Sequence, residues 1–517
     1  MDIIIPFRTP RTQGSSTAPP TCYLSSFRMK ILFVASESHP YVTTGGLAGV
    51  VGSLPKALAR AGHEVRICIP LYAKINRAQF GIEFRQTLCV HMGTGEVWCG
   101  LHECDHAHGV EVWFVDHASM FGRPGVYDHA GHSYHDNNGR FAFHCKAALQ
   151  ACKDLDWIPD IVHAHDWQGA PAMAFRKTWD AWGSPLSNTA CVLTLHNLAY
   201  QGQGEAGVMK WMGLGPEHFT AHKFEDHGGV NLLKGGIHFA DAITTVSPSY
   251  AREIQGPVGG QGLHQVLAHR SGDLFGILNG IDEAHYDPAT DAAIARNFSV
   301  SDMSGRQECR RALQRELGMW EDDSRCIVSI VSRIAPGKGF DLIEPVIERA
   351  MREMHLQFVL VGSGDRHYEW WVGDLQRRYP GRVGNWIGYR EDLAHKVYAG
   401  SDLYLMPSLF EPCGLSQMYA MRYGTLPVVR RTGGLADTVW NYIEHDGGGD
   451  GFVFDDYRVD SFYYTLGWAV STYFDRRHHF EGMRRRVMGR DFSWDASVPK
   501  YEEVYRHALA KVGRHGG

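Results

Sequence analysis

The sequence predicts an α/β protein made of two doubly wound, Rossmann-like domains facing a central cleft. Three observations carry that expectation. Short apolar runs alternate with helix-periodic stretches, as in the β-α-β units of parallel sheets. The alternation comes in two series, one starting near residue 30 and one after residue 276. The pentapeptide Thr-Gly-Gly-Leu-Ala occurs twice, at Thr44–Ala48 and Thr432–Ala436, each time as a Gly-Gly turn opening a helix-like run. Glycine in such a turn lets backbone N–H groups approach an anion closely. Two copies therefore suggest two walls of one cleft around a phosphate-bearing ligand. At 517 residues the chain also exceeds one comfortable core.

The elements follow in order. Ile31–Ala35 reads as a buried strand. Leu47, Val50, Val51, Leu54 and Leu58 recur at helical spacing, Gly62 is a stop signal, and Val65–Ile69 is the next strand. Ile161–Ala164, Cys191–Leu195 and Ala242–Val246 continue the series. The second series has strands at Cys326–Val331, Gln357–Val361, Asn385–Ile387, Leu403–Met406 and Leu426–Val429. The glycine-flanked stretch 272–276 reads as a hinge. Ala496–Val512 is amphipathic. The expected division is a first domain over 29–275, a second over 276–494, and a C-terminal helix within 495–517 packing back onto the first. Residues 1–28 are rich in Ser, Thr, Pro and Arg with Asp2 as their only acid. They read as a disordered leader, with an organelle transit peptide, hence a plastid location, as the alternative.

Composition narrows the function. Hydrophobic residues at 44% and charged residues at 21% are those of a globular enzyme. A net charge of −6 without a long Lys/Arg block argues against nucleic acid or an anionic membrane as partner, and no apolar run reaches the length of a membrane span. The 11 cysteines form no CxxC pair, and several, such as Cys68 and Cys191, lie inside apolar runs. That pattern fits reduced, buried thiols and a cytoplasmic setting. The first glycine cluster is not GxGxxG, and the strand after it ends Ile69-Pro70 without an acid for a ribose, so a nicotinamide fingerprint fails. A GxxxxGK[ST] P-loop is lacking.

The densest polar signal is Pro407-Ser-Leu-Phe-Glu-Pro-Cys-Gly-Leu-Ser-Gln-Met-Tyr419, which follows a strand and opens a helix. Glu411 sits at the strand's carboxyl end, and Gly414, Leu415 and Ser416 present N–H groups suited to phosphate. Arg333 and Lys338 flank a glycine-bearing loop after another strand and can converge on a diphosphate. His163-Ala-His-Asp-Trp167 and Thr194-Leu-His-Asn-Leu-Ala-Tyr200 follow strands of the first half. Their HxH spacing, and that of His102 to His108, invites a metal, but a convincing ligand set does not accompany either. The expectation is no metal and no cofactor, with Asp166 and His196 binding sugar hydroxyls. Trp167 and Tyr200 are equally suited to sugar stacking or core packing.

These motifs resemble the bacterial-type glycogen synthases, the family that includes plant starch synthases. The likeness runs from Met29 to about Leu509. It is strongest at Glu411-Pro-Cys-Gly-Leu415 and at Tyr423-Gly-Thr-Leu-Pro-Val-Val-Arg-Arg-Thr-Gly-Gly-Leu-Ala-Asp-Thr-Val439, and extends to Leu195–Gly202, His163–Trp167, Tyr134–Asn137 with Arg140 and Phe141, and Leu278–Asp282. The resemblance implies a GT-B fold and retaining transfer of glucose from ADP-glucose to the non-reducing end of an α-1,4-glucan. By the same resemblance Glu411 contacts the donor glucose, and His196 and Asp166 line the sugar side with Asn279 and Tyr389. Arg333 and Lys338 neutralise the diphosphate. The backbone at Gly45, Gly46, Gly414, Leu415 and Ser416, with Thr432 and Gly433, holds the donor. Many GT-B transferases carry a second Glu where this chain has Tyr419, as glycogen synthases do.

The chain departs from the family's pattern at the first glycine turn. The family's Lys is Thr43 here, and its Asp is Gly49. Two alternatives follow from those losses, a catalytically weak glucan-binding or regulatory paralogue and a synthase preferring UDP-glucose.

Overall fold

The computed structural model describes residues 28–513. The leader reading of residues 1–28 thus lies almost wholly outside the described residues.

The first sheet has nine strands: β1 (Lys30–Val34), β2 (Glu64–Pro70), β3 (Glu83–Met92), β4 (Gly95–Asp105), β5 (Glu111–Asp116), β6 (Ile161–His165), β7 (Ala190–Leu195), β8 (Ala242–Thr245) and β9 (Leu274–Gly276). Their order is β9-β8-β7-β6-β1-β2-β5-β4-β3. All neighbours are parallel except the edge pairs β5–β4 and β4–β3, which are antiparallel. The second sheet has six strands, all parallel: β10 (Cys326–Val331), β11 (Leu356–Gly362), β12 (Val383–Ile387), β13 (Leu403–Met406), β14 (Leu426–Arg430) and β15 (Phe452–Phe454), in the order β12-β11-β10-β13-β14-β15.

Central strands such as β6, β7 and β13 are buried along their whole length. Helices cover both faces of a sheet of this kind, which is why these strands read as unbroken apolar runs. Helix α1 (Gly46–Arg60) buries Leu47, Val50, Val51, Leu54 and Leu58, the residues of its helical spacing, and Gly62 takes φ +102° just past its end. Helix α2 (Asn137–Asp154) lies between β5 and β6.

One sequence expectation changes. The stretch 272–276 is not a hinge, since Leu274–Gly276 pairs in parallel with Ile243–Thr245 as the last strand of the first sheet. The chain instead crosses between the sheets at two adjoining segments. Ile281 N–H donates to Phe492 O at 2.8 Å, Phe492 N–H donates to Glu283 Oε1 at 2.8 Å, and Ser497 Oγ donates to Leu278 O at 2.7 Å. Gly280 is required there, because a Cβ would lie 2.5 Å from Trp494 N. The β3–β4 hairpin adds an antiparallel edge that no apolar run of the sequence predicts. Its strands alternate exposed and buried residues and so lack a continuous apolar run.

After the second crossing the C-terminal helix, Val498–Lys511, returns to the first sheet. It buries Tyr501, Val504, Tyr505, Ala508 and Leu509, and Tyr505 OH pairs with His163 Nδ1 at 2.9 Å.

Candidate active site

The carboxyl ends of β10 and β13 bring together the strongest polar residues of the second sheet. Lys338 Nζ donates to Glu411 Oε2 at 2.7 Å, and Ser408 Oγ donates to the same oxygen at 3.1 Å. The two loops are fastened by Leu409 N–H to Gly337 O at 2.8 Å. Glu411 is 8% exposed, so its charge sits in a confined space beside a single cation and one hydroxyl. Arg333, on the same loop as Lys338, is exposed and has no partner among the described residues. Gly414 and Leu415 precede helix α3 (Ser416–Arg422), and their N–H groups make no hydrogen bond among the described residues. The wall therefore offers Lys338 on the carboxylate, exposed Arg333 on the same loop and backbone donors open among the described residues, an arrangement suited to a diphosphate.

The second Thr-Gly-Gly turn lies behind this loop. Gly434 N–H donates to Glu411 O and to Pro412 O, both at 3.1 Å, and a Cβ on Gly434 would lie 2.1 Å from Cys413 O. Gly433 N–H donates to Glu253 Oε1 at 2.8 Å. The structure thus gives these donors protein partners, and the glycines serve close backbone packing. The first turn is held similarly: Glu37 accepts from Thr44 N–H at 2.5 Å and from Thr44 Oγ1 at 2.8 Å, while Tyr127 OH reaches it at 3.2 Å. Burial raises the Glu37 carboxyl above its ordinary range, against hydrogen bonds that lower it. Glu37 carries no motif of its own and was missed in the sequence; only its nearness to the glycine turn could have marked it.

Thr43, Gly45 and Gly46 are exposed at the start of α1, and Gly49 is half-buried. A Cβ at Gly45, Gly46 or Gly49 would meet nothing within 4 Å, so space does not require glycine at position 49.

On the first sheet, Asp166 and His196 follow β6 and β7. Asp166 Oδ1 accepts the His196 N–H at 2.7 Å, and Asp166 holds φ +51°, a left-handed conformation that Asp tolerates better than most residues. Burial lifts its carboxyl to about 7, against backbone hydrogen bonds from His196 and Asn197. His165 Nδ1 and His196 Nε2 lie 3.0 Å apart, and His163 bonds Tyr505 OH and Thr194 Oγ1. Burial lowers His163 and His196 to about 3, so both imidazoles are neutral near pH 7.

These contacts give His163, His165 and His196 protein partners, and His102 faces Asp116 at 3.3 Å. The groups of three potential ligands among the described residues are Cys89, His91, Glu96 and His285, Glu391, His395, neither of them from those motifs.

Asn279 is 5% exposed and its Oδ1 is buried without a hydrogen-bond partner, beside Cys413 of the Glu411 loop. Tyr389, after β12, is 83% exposed. Tyr419 stacks on Tyr286 with ring centroids 3.7 Å apart. Trp167 is buried against Phe141, a core role, whereas Tyr200 is exposed. A separate cleft of about 450 Å³, lined by Trp179, Trp182, Glu217 and His218 among others, contains none of the site residues.

Comparison with known proteins gives consistent matches. Residues 30–269 match the family described as starch synthase catalytic domain, and residues 325–470 match glycosyl transferases group 1. The chain is 42% identical to glycogen synthase 1 of Geobacter sulfurreducens, over 95% of this chain and 100% of that protein. It is 43% identical to a glycogen synthase of Geotalea daltonii, over 94% and 100%. Among solved structures, the catalytic domain of starch synthase IV from Arabidopsis thaliana, bound to ADP and acarbose, superposes with a TM-score of 0.86 at 33% identity, over 93% of this chain and 100% of that one. Sucrose-phosphate synthase from Thermosynechococcus elongatus, at 16% identity and a TM-score of 0.56, shares the fold.

Proposed function

The chain belongs to the glycogen synthase and starch synthase family of GT-B glycosyltransferases, and from that premise we propose that it transfers glucose from ADP-glucose to the non-reducing end of an α-1,4-glucan with retention. The observation that carries the reading is the Lys338–Glu411 pair at 2.7 Å, with Arg333 on the Lys338 loop and the N–H groups of Gly414 and Leu415 without partners among the described residues. The likeness to a starch synthase solved with ADP supports the adenine nucleotide.

In this reading Arg333, Lys338 and the Gly414–Ser416 backbone hold the diphosphate. The bond from the anomeric carbon to the phosphate oxygen breaks, and its electron pair leaves with ADP. The incoming 4-hydroxyl bonds to that carbon on the same face and gives its proton to the departing phosphate oxygen. A protein nucleophile is not required. Glu411 faces the sugar, where its negative charge stabilises the oxocarbenium-like carbon, while Lys338 offsets charge on the leaving group. Asp166, His196 and Asn279 orient hydroxyls, the His196 imidazole and the Asn279 amide doing so without net charge. Apposition of the two walls keeps water from the donor.

Unpaired, buried thiols among the described residues and the bacterial relatives support a cytoplasmic setting. Nothing among the described residues supports the plastid alternative. No described helix is long and apolar enough to cross a membrane.

The deciding experiment offers ADP-glucose or UDP-glucose with glycogen or a maltooligosaccharide and follows chain extension. Extension from ADP-glucose with the higher kcat/KM is expected. Preference for UDP-glucose would replace the donor, and glucan binding without extension from either donor would favour the catalytically weak alternative raised by Thr43 and Gly49.

A further inference from the structure

We propose that the short first-sheet helix α4 (Pro248–Glu253), with Ser247 before it, is a positioning element for Glu411, so that apposition of the two domains sets the catalytic loop. The proposal rests on the reading above, in which Glu411 faces the donor glucose.

Three residues of this segment, Ser247, Ser249 and Glu253, bond the second domain. Ser247 is fully buried, and its Oγ accepts from Tyr250 N–H at 3.1 Å as the helix cap while donating to Pro412 O at 2.7 Å. Because Oγ is already an acceptor from Tyr250, its single proton is free to serve Pro412, the residue next to Glu411. Asp437 accepts from Ser249 N–H and Ser249 Oγ, both at 2.7 Å. Glu253, at the other end of the helix, accepts from Gly433 N–H at 2.8 Å.

Asp437 and Gly433 lie at opposite ends of helix α5 (Gly433–Thr438). Each of the two short helices therefore places a carboxylate at the other's N-terminus, where unsatisfied N–H groups and the helix dipole favour a negative charge. The chain of contacts continues to the catalytic loop, since Gly434 N–H bonds Glu411 O and Pro412 O. The Glu411 and Pro412 carbonyls are thus braced twice, directly by Ser247 and through the turn gripped by Glu253. A first-domain segment makes these bonds only while the domains face each other as they do here. Domain separation removes the Ser247, Ser249 and Glu253 bonds together, and the Glu411 loop then keeps only its contacts within the second domain.

The repeat sharpens this assignment. Asp437 closes the second copy, Thr432–Asp437, and the corresponding position of the first copy is Gly49. The second copy's acid has an interdomain partner in Ser249, whereas the first copy has no side chain with which to make one.

The test uses the full-length enzyme with whichever nucleotide-glucose donor it turns over, and the variants Ser247→Ala, Glu253→Ala, Glu253→Gln and Glu411→Ala. The readouts are kcat and donor KM with glycogen, the Kd of the nucleoside diphosphate by calorimetry, and Tm. Ser247→Ala and Glu253→Ala should each lower kcat about tenfold or more while the diphosphate Kd stays within about twofold. Glu253→Gln keeps an oxygen for Gly433 N–H and should recover most of the lost kcat. Two results would overturn the proposal: unchanged kcat in both alanine variants, or a fall in kcat matched by a parallel loss of diphosphate binding and Tm, which marks a merely structural contact. Glu411→Ala separates the two levels. If it loses turnover while the Ser247 and Glu253 variants keep theirs, the positioning role alone fails. If it keeps turnover, the reading of the site fails and the positioning role with it.

Discussion

Lys338 and Glu411 come from loops after different strands and meet in a confined space, so either one alone leaves a charge without its partner. Glu411→Ala and Lys338→Ala should each lower kcat by about a hundredfold or more, the usual effect of removing one preorganised electrostatic group; near-normal turnover in both contradicts the site. Asp166 gives a pH signature. Burial lifts its carboxyl to about 7, so it is mostly protonated at about pH 6 and mostly ionised at about pH 8. The ionised form is the one that accepts hydroxyl hydrogen bonds, so kcat/KM should rise with pH through that range. Asp166→Asn keeps an oxygen for His196 N–H and should flatten the rise; an unaltered profile removes Asp166 from the role. Thr43 is exposed just before α1, where Thr43→Lys restores the cation of the family's pattern. The donor KM should fall about tenfold, the effect of one charge-assisted hydrogen bond, and an unchanged or higher value counts against a lost donor contact. At this scale the sequence marked Glu411, Lys338, Asp166 and His196 through their places after strands. It did not mark Glu37, which carries no motif of its own, or Glu253, because a carboxylate that caps a distant turn leaves no local pattern.

The glycine turns belong to the next scale. Gly434 packs so closely on the Glu411 loop that a Cβ would lie 2.1 Å from Cys413 O, whereas one at Gly49 would meet nothing within 4 Å. Gly434→Ala should therefore lower both stability, by about 1–3 kcal/mol, and kcat, with Gly49→Ala as the tolerated control; comparable Tm and kcat in the two variants would remove the packing role. Elements were legible where their pattern is local. The helix over Gly46–Arg60 follows from its apolar spacing, and the buried parallel strands follow from runs such as Cys326–Val331. The β3–β4 hairpin was not legible as an unbroken run, since at the sheet edge one face of each strand meets water. The stretch 272–276 misled because its flanking glycines read as a flexible turn, while Leu274–Gly276 is held by a parallel ladder to β8 that only the folded chain supplies.

Across the whole molecule, the C-terminal helix returns from the second domain to the first sheet and ends the chain's double crossing. Tyr505 is fully buried there and bonds His163. Tyr505→Ala should destabilise the protein by about 3–5 kcal/mol, as the loss of a large buried aromatic does, and Tyr505→Phe by about 1 kcal/mol, the worth of one hydrogen bond; denaturant unfolding that registers no loss in Tyr505→Ala would show that the helix does not stabilise the first sheet. The sequence by itself determined the α/β class, the two series of strands and the residue types at their carboxyl ends, because periodicity and turn chemistry act over a few residues. Only the tertiary structure decided the partners. It placed the crossing at Ile281 and Phe492, set Lys338 on Glu411, and gave the second glycine turn to Glu253 and to the Glu411 backbone. Each of these is a contact between residues far apart in the chain, and a backbone N–H carries nothing in its local sequence that names a distant acceptor.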